Sequence, residues 1–159
     1  MSDISFIGKL DIPFRFTRRP SPVPGELRMT WGIALLLIIV LNSRSKRTSL
    51  QRLHVLNWAS RSGINREIFE GILTGERSGS DFIPRVEPSL NRAIQFAVAE
   101  KLVVIDQGKR VALTGRGFGT AEEINNGDAL AAEKSFLKRV KSIATEKRID
   151  QLLNWSVLL

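Results

Sequence analysis

The spacing of apolar positions changes several times along the chain, and each change predicts a new element. Residues 31–41, WGIALLLIIVL, form an unbroken apolar run, which predicts a core helix over about 29–42. A second helix is predicted over about 49–61, with Thr48 or Ser49 as its N-cap. Its apolar positions cover a wide face, so it is expected to pack against the first helix.

Beyond this pair the pattern predicts further short helices and a hairpin. A helix over about 65–74 follows Gly63, which is expected to end the second helix, and Pro88 suits the first turn of a fourth. The stretch LVVIDQGKRVALT then predicts a two-stranded wing, in which Gly108 supplies a positive φ. Thr114 leads into another helix, and Asp128 is expected to cap a long final helix reaching Trp155.

The first part of the chain has a different character. Apolar residues alternate near Pro13, and three of the six prolines follow within residues 20–24. This composition predicts an extended arm and linker over 1–28, because proline removes a backbone donor and restricts its neighbour. The expected organisation is mainly α: this arm, a winged-helix-like domain over 29–126, and a C-terminal helix with an apolar tail over 127–159.

Composition narrows the function classes. The chain has 159 residues and no cysteine, which excludes disulfides and thiolate metal sites and fits a reducing cytoplasm. The apolar run is shorter than the ~20 residues needed to cross a bilayer, so no membrane association is expected. The net charge is +8 and concentrates in residues 31–62, which contain five basic and no acidic side chains. Nucleic acid or an acidic protein surface is the natural partner.

No motif predicts catalysis, a cofactor or a metal. Gly115, Gly117 and Gly119 follow a strand but have the spacing G-x-G-x-G, which differs from a dinucleotide-binding fingerprint. His54 is the only histidine and has no cysteine with which to share a zinc ion. The acidic residues are scattered and form no recognisable pair. The chain is therefore expected to be no enzyme and to bind no cofactor.

Two groups of basic residues are candidates for nucleic-acid contact through phosphates. The first group is the loop and helix start; the second comprises the helix before the wing and the wing tip. The candidates are Arg44, Lys46, Arg47, Arg52, Arg92, Lys109 and Arg110. Asn91, Arg92 and Gln95 occupy the place of a recognition helix, where such side chains pair with bases. A solvated polar face and a protein-binding face remain alternative interpretations of the same three residues.

Large apolar residues lie near both chain ends, where polar residues are usual. They are candidates for docking on the chain's own body, on a second copy or on a different partner. The candidate partner-binding residues are Phe14, Phe16, Leu153, Trp155 and Leu158.

Two segments, SLQRLHVLNWASRSG and VEPSLNRAIQFAVAEKLVVIDQGKRVALTGRGFGTAEEI, carry a resemblance to a known family. Together with the apolar helix before them, they resemble the small middle component of ABC-three-component systems, which include the Lamassu type of bacterial anti-phage defence. Leu53–Ala59, LHVLNWA, is the most discriminating block. The remaining matches, common to many winged-helix proteins, are Ala97, Leu102, Val103, Gly108, Leu113, Thr114 and Gly117.

The resemblance implies a non-catalytic adaptor with winged-helix-like structure. Its implied partners are an SMC/Rad50-like coiled-coil ATPase, an effector nuclease subunit and, through non-specific phosphate contacts, double-stranded DNA. The main rival hypothesis is a winged-helix transcription regulator. A regulator would form a homodimer through the final helix and read duplex sequence with Asn91, Arg92 and Gln95.

Overall fold

The computed structural model describes residues 20–21, 25–82 and 87–157. These residues form a mainly helical fold with one small antiparallel sheet, as the sequence predicts at this level. The helices are α1 (Gly25–Leu41), α2 (Leu50–Ser60), α3 (Gly63–Thr74), α4 (Pro88–Ala99), α5 (Gly115–Asn126), α6 (Ala131–Val140) and α7 (Glu146–Val157). The strands are β1 (Arg47–Ser49), β2 (Val103–Asp106) and β3 (Arg110–Leu113).

The C-terminal half of α1 is the centre of the core. Residues 35–40 are each no more than 1% exposed. The helix is surrounded by α2, α4 and α5, which explains why it is apolar on all sides and not only along one stripe. The predicted core helix is confirmed, and it begins nearly two turns before the apolar run.

Local capping and turn chemistry also follow the sequence. The Ser49 hydroxyl accepts a hydrogen bond from the Arg52 amide at 3.1 Å and so caps α2. The Thr114 hydroxyl caps α5 by accepting from the Gly117 amide at 3.0 Å. At the hairpin turn, Gly108 has φ 66° as predicted.

The sheet contains one strand more than the predicted two-stranded wing. Its order is β1-β3-β2, and both pairings are antiparallel. In β1, Arg47 lies opposite Ala112, and Ser49 lies opposite Arg110. The three residues of β1 show no strand-like apolar alternation, and they are extended because the free edge of β3 pairs with them. The sheet therefore ties the basic loop to the hairpin.

The predicted long final helix is wrong. The chain forms two helices, α6 and α7, separated by residues 141–145. Asp128 does not cap α6, whose N-cap is Leu130 with φ 58°. Both helices contact α2, so the chain has to turn between them, and Ala144 at the corner is fully buried. Gly63 likewise begins α3, after α2 has ended at Ser60.

Gly117 allows the start of α5 to pack directly against the backbone of Leu102. A Cβ atom built at this position would lie 1.7 Å from the carbonyl oxygen of Leu102. Gly115 and Gly119 have no such neighbour within 4 Å. Of the three glycines that resemble a phosphate-binding loop, Gly117 is therefore required for the packing of α5 against the chain that leads into β2.

Candidate functional site

Arg52 lies in a buried polar cluster, which we define as Ser43, Thr48, Ser49, Arg52 and Glu146. Its side chain is 6% exposed. Nε donates to the Ala144 carbonyl at 2.7 Å, and Nη1 donates to the hydroxyls of Ser43 at 2.7 Å and Thr48 at 3.2 Å. The predicted role of Arg52 in binding nucleic acid is therefore corrected, because its guanidinium is enclosed and already bonded.

Glu146 completes this polar cluster from the start of α7. One carboxylate oxygen accepts from the Ser49 amide at 2.9 Å and the Thr48 hydroxyl at 3.1 Å, and the other accepts from the Ser49 hydroxyl at 2.6 Å. Burial acts to raise the pKa of Glu146, but the bonds from Ser49 and Thr48 and the charge of Arg52 outweigh it and lower the pKa. The cluster thus holds an ionised carboxylate and fastens α7 to β1 and α2.

The remaining basic residues of the loop and hairpin lie on, or shortly before, the paired strands β1 and β3. We call Arg44, Arg47, Lys109 and Arg110 the basic sheet edge. All four are exposed, and pairing of β1 with β3 places Arg47 and Arg110 on neighbouring strands. The Lys109 carbonyl also accepts from the Leu50 amide at 3.0 Å, which fixes the turn against the start of α2.

These four cations have no ion pair within the described part of the chain. Asp106 is the acidic residue nearest to them in register, opposite Arg110 across the hairpin. A surface of this kind is suited to phosphate groups, because each exposed guanidinium or ammonium can neutralise one phosphate charge.

Lys46 has a partly structural role. Its ammonium donates to the Leu41 carbonyl at 2.8 Å, which satisfies the last turn of α1. The same nitrogen lies 6.0 Å from the centre of the Phe118 ring. The residue stays exposed, but its charge is already engaged with the helix end.

A groove of about 1010 Å³ lies where the first half of α1 meets α2 and the start of α4. We call it the cationic groove. Its lining residues are Leu27, Arg28, Met29, Trp31, Gly32, Asn57, Arg61, Ser89, Leu90 and Arg92. At Gly32, α1 lies next to α4: a Cβ there would be in ordinary van der Waals contact with the Cβ of Ala93 at 3.6 Å.

One guanidinium in the groove is held in place by its neighbours. The Arg61 side chain forms an ion pair with Glu87 at 2.6 Å and donates to the Ser89 hydroxyl at 2.8 Å. It also lies 5.9 Å from the centre of the Trp31 ring. The charge of Arg61 is thereby balanced within the groove wall, whereas Arg28 and Arg92 have no acidic partner among the described residues.

Two buried nitrogen atoms of α2 have no hydrogen-bond partner in the described structure. They are Nδ2 of Asn57, whose side chain lines the groove and is 2% exposed, and Nδ1 of His54 one turn earlier. Burial lowers the pKa of His54, against opposing contributions from a hydrogen bond to Asn91 and the charge of Glu87. The imidazole is therefore neutral near pH 7.

The candidate base-reading face of α4 is divided between two roles. Asn91 is exposed and lies beside His54 of α2, and Arg92, also exposed, lines the cationic groove together with α1. Gln95 is exposed. The exposed apolar side chains nearby are Phe96 at 53% on α4, and Val104 at 50% and Ile105 at 42% on β2, an edge strand of the sheet.

The candidate partner-binding residues are almost all outside the described structure. Phe14, Phe16 and Leu158 fall on residues that are not described, as does the side chain of Trp155. Leu153 is half-buried and packs against the core cluster. For Leu153 the structure therefore favours docking on the chain's own body.

Sequence reasoning missed the cationic groove and misplaced one basic residue. Helical spacing places Arg52 on the same face as the buried Val55, Leu56 and Ala59, and this signal could have identified it as enclosed. Asn57 lies among the apolar residues of the same helix, so its burial could have been inferred in the same way. The contributions of α1 and α4 to the groove had no comparable signal, because they depend on how three helices pack.

Comparisons with known proteins give no relative: no family model, no curated protein and no solved structure matches the chain. In the described ranges, no group of three or more His, Cys, Asp or Glu residues is arranged to hold a metal ion. None of the described helices has the length and apolar character needed to cross a membrane.

Proposed function

We propose that this chain is a non-catalytic accessory subunit with a winged-helix-like domain that contacts double-stranded DNA through phosphates. The observation that carries the proposal is the basic sheet edge. Arg47 and Arg110 are more than 60 positions apart in sequence but lie on the directly paired strands β1 and β3, which brings the basic loop and the hairpin together. Contacts of this kind add affinity without selecting sequence.

The resemblance of Leu53–Ala59 to the small component of ABC-three-component systems supplies the partner. We infer an SMC/Rad50-like ATPase as the docking partner and an effector nuclease as the third subunit, within a bacterial anti-phage system. Phe96, Val104 and Ile105 support a protein partner, because exposed apolar side chains on a helix and an adjacent edge strand suit docking.

The sequence-specific regulator is the less favoured alternative. In a recognition helix the polar side chains point outward along one face, whereas Asn91 lies beside His54 of α2 and Arg92 lies at the rim of the groove. Base readout would require both side chains to turn away from these neighbours.

The first test is DNA binding measured across a range of salt concentrations. If all four cations of the basic sheet edge contact phosphates, the slope of log K against log salt is about −3.5. The double variant Arg47→Gln/Arg110→Gln should reduce the magnitude of this slope by roughly 2 and affect all duplex sequences alike. Arg116→Gln, which removes an exposed charge elsewhere, is the matched control.

A tagged pull-down from the native host tests the partner. Near-stoichiometric recovery of a large coiled-coil ATPase is the expected result. Recovery of the chain alone, together with much tighter binding to one duplex sequence than to its shuffled version, would overturn the adaptor in favour of the regulator.

A further inference from the structure

We propose that the cationic groove binds a nucleoside phosphate. The proposal is independent of DNA contact at the basic sheet edge, since the two surfaces share no residue. It rests on two features of the groove: an apolar and aromatic wall, and two guanidinium groups at its rim that have no acidic partner among the described residues. The lining residue Asn57 adds a buried donor without a partner.

The inner end lacks an acceptor. Asn57 is 2% exposed, and its Nδ2 has no hydrogen-bond partner in the described structure. A buried amide without a partner costs free energy, so such groups in native proteins generally have a partner. Nδ2 is covered by protein atoms, so an acceptor such as a ring nitrogen or carbonyl oxygen of a nucleobase reaches it only when the covering side chains shift.

The walls of the cationic groove suit a flat, weakly polar ligand group. Trp31 and Leu90 line the groove from α1 and α4, and Met29 adds a flexible thioether. The ion pair with Glu87 and the contact with the Trp31 ring hold Arg61 as part of this wall. A nucleobase stacks on indole and guanidinium planes, whereas a purely inorganic anion would leave the apolar surface uncovered.

The rim suits an anionic group. Arg28 and Arg92 are exposed and have no acidic partner among the described residues, and none of the ten lining residues is acidic. Guanidinium groups bind phosphate oxygens in pairs of parallel hydrogen bonds. An apolar inner end with one donor and a cationic rim together match a molecule with a base at one end and phosphate at the other.

The volume agrees with this ligand class. A groove of about 1010 Å³ exceeds what a single phosphate needs and falls at the upper end of the ~300–1,000 Å³ typical of small-molecule sites. A free nucleotide and the terminal nucleotide of a single strand share the required chemistry, and the experiment has to distinguish them.

The test is calorimetric titration of the full chain in phosphate-free buffer with AMP, GMP, CMP and UMP. The matching nucleosides and inorganic phosphate are titrated in parallel. We expect at least one nucleotide to bind roughly tenfold more tightly than its nucleoside and than phosphate, because both ends of the groove are then occupied. The proposal is overturned if no nucleotide binds more tightly than its separate parts.

Variants assign the binding to the groove. Arg28→Gln and Arg92→Gln are exposed changes and should each weaken nucleotide binding roughly tenfold, whereas Arg116→Gln should leave it unchanged. Equal weakening by all three would attribute the binding to net charge and overturn the proposal. Asn57→Leu should weaken the nucleotide while leaving the affinity for phosphate alone unchanged.

A single-stranded pentanucleotide with a 5′-phosphate distinguishes the two sources. If it competes with the bound mononucleotide at a similar concentration, a strand end is an equally good ligand. If it competes at least about tenfold less well, the groove takes the free nucleotide. In either case the double variant Arg47→Gln/Arg110→Gln should retain groove binding, so failure at one surface is separable from failure at the other.

Discussion

The two ends of α2 present polar side chains to the protein interior in opposite ways. Near its start, Arg52 is 6% exposed and donates to three oxygen atoms. Near its end, Asn57 is 2% exposed and has an amide nitrogen with no partner. The two side chains are therefore similarly buried, but only Arg52 has partners for its buried donors. A buried polar group with all its partners stabilises the scaffold, whereas one without a partner marks a place where a ligand can supply it.

The largest expected effect comes from removing Arg52, the buried side chain whose hydrogen bonds are made. Arg52→Ala leaves the Glu146 carboxylate without its cation and three acceptors without their donor. We expect the free energy of unfolding to fall by about 3 kcal/mol or more, because several buried acceptors lose bonds from a charged donor, each worth about 1.5–3 kcal/mol. Denaturant unfolding measures the loss. Arg47→Ala, which removes an exposed arginine, should change it by no more than about 0.5 kcal/mol, and equal losses would contradict the structural role of Arg52.

A smaller effect is expected from Glu146→Gln, because the amide keeps the shape of the carboxylate. Stability at pH 7 should fall by about 1 kcal/mol, since charge-assisted bonds become neutral ones. The folded pKa of Glu146 lies below its ordinary value of 4.5, so its contribution is present above pH 4.5 and is lost as pH falls through the folded pKa. The variant should therefore lose less stability than the parent below pH 4.5. Parallel acid profiles would contradict this role.

His54 of α2 is expected to affect the pH dependence of stability closer to neutral pH. The pKa of His54 is lowered from 6.5, chiefly by burial, so the unfolded chain binds this proton more readily than the folded one. Stability is therefore highest above pH 6.5 and falls as pH decreases below it. His54→Gln should remove that part of the profile and leave the Glu146 window unchanged. Unfolding measured between pH 7.5 and 5 checks this expectation, and an unaltered profile would contradict it.

The smallest expected change in stability is at Asn57. Asn57→Leu replaces an unpartnered amide with an apolar group of similar size, so the free energy of unfolding should change by no more than about 1 kcal/mol, in either direction. A loss comparable to that of Arg52→Ala would mean that the Asn57 amide has a structural partner. The comparison between the two ends of the helix would then fail.

Features that depend on neighbouring residues could be predicted from the sequence. The cap at Ser49, the start of a helix directly after Thr114 and the positive φ at Gly108 involve only residues within a few positions, and all three are confirmed. The core helix was equally predictable, because its apolar run leaves no polar side for solvent.

Features that depend on distant partners could not be predicted in the same way. β1 is a strand because β3 offers a free edge more than 60 residues later, and its own residues give no sign of it. The break between α6 and α7 left a small irregularity in the apolar stripe, but only packing against α2 turns that irregularity into a corner. Helical spacing could have indicated that Arg52 is enclosed, but not that its acceptor is Ala144, 92 residues away.

That separation also has a consequence for the order in which the chain becomes stable. Arg52 and its acceptor at Ala144 are 92 positions apart, and ribosomes add about 5–20 residues per second. For roughly 5 to 20 seconds of synthesis, the nascent chain contains the arginine but neither Ala144 nor Glu146. During this interval α1 and α2 exist without the segment that completes their polar contacts. The contacts that fasten β1 and α2 to α7 therefore form last, and until then the Arg52 guanidinium lacks its acceptor at Ala144.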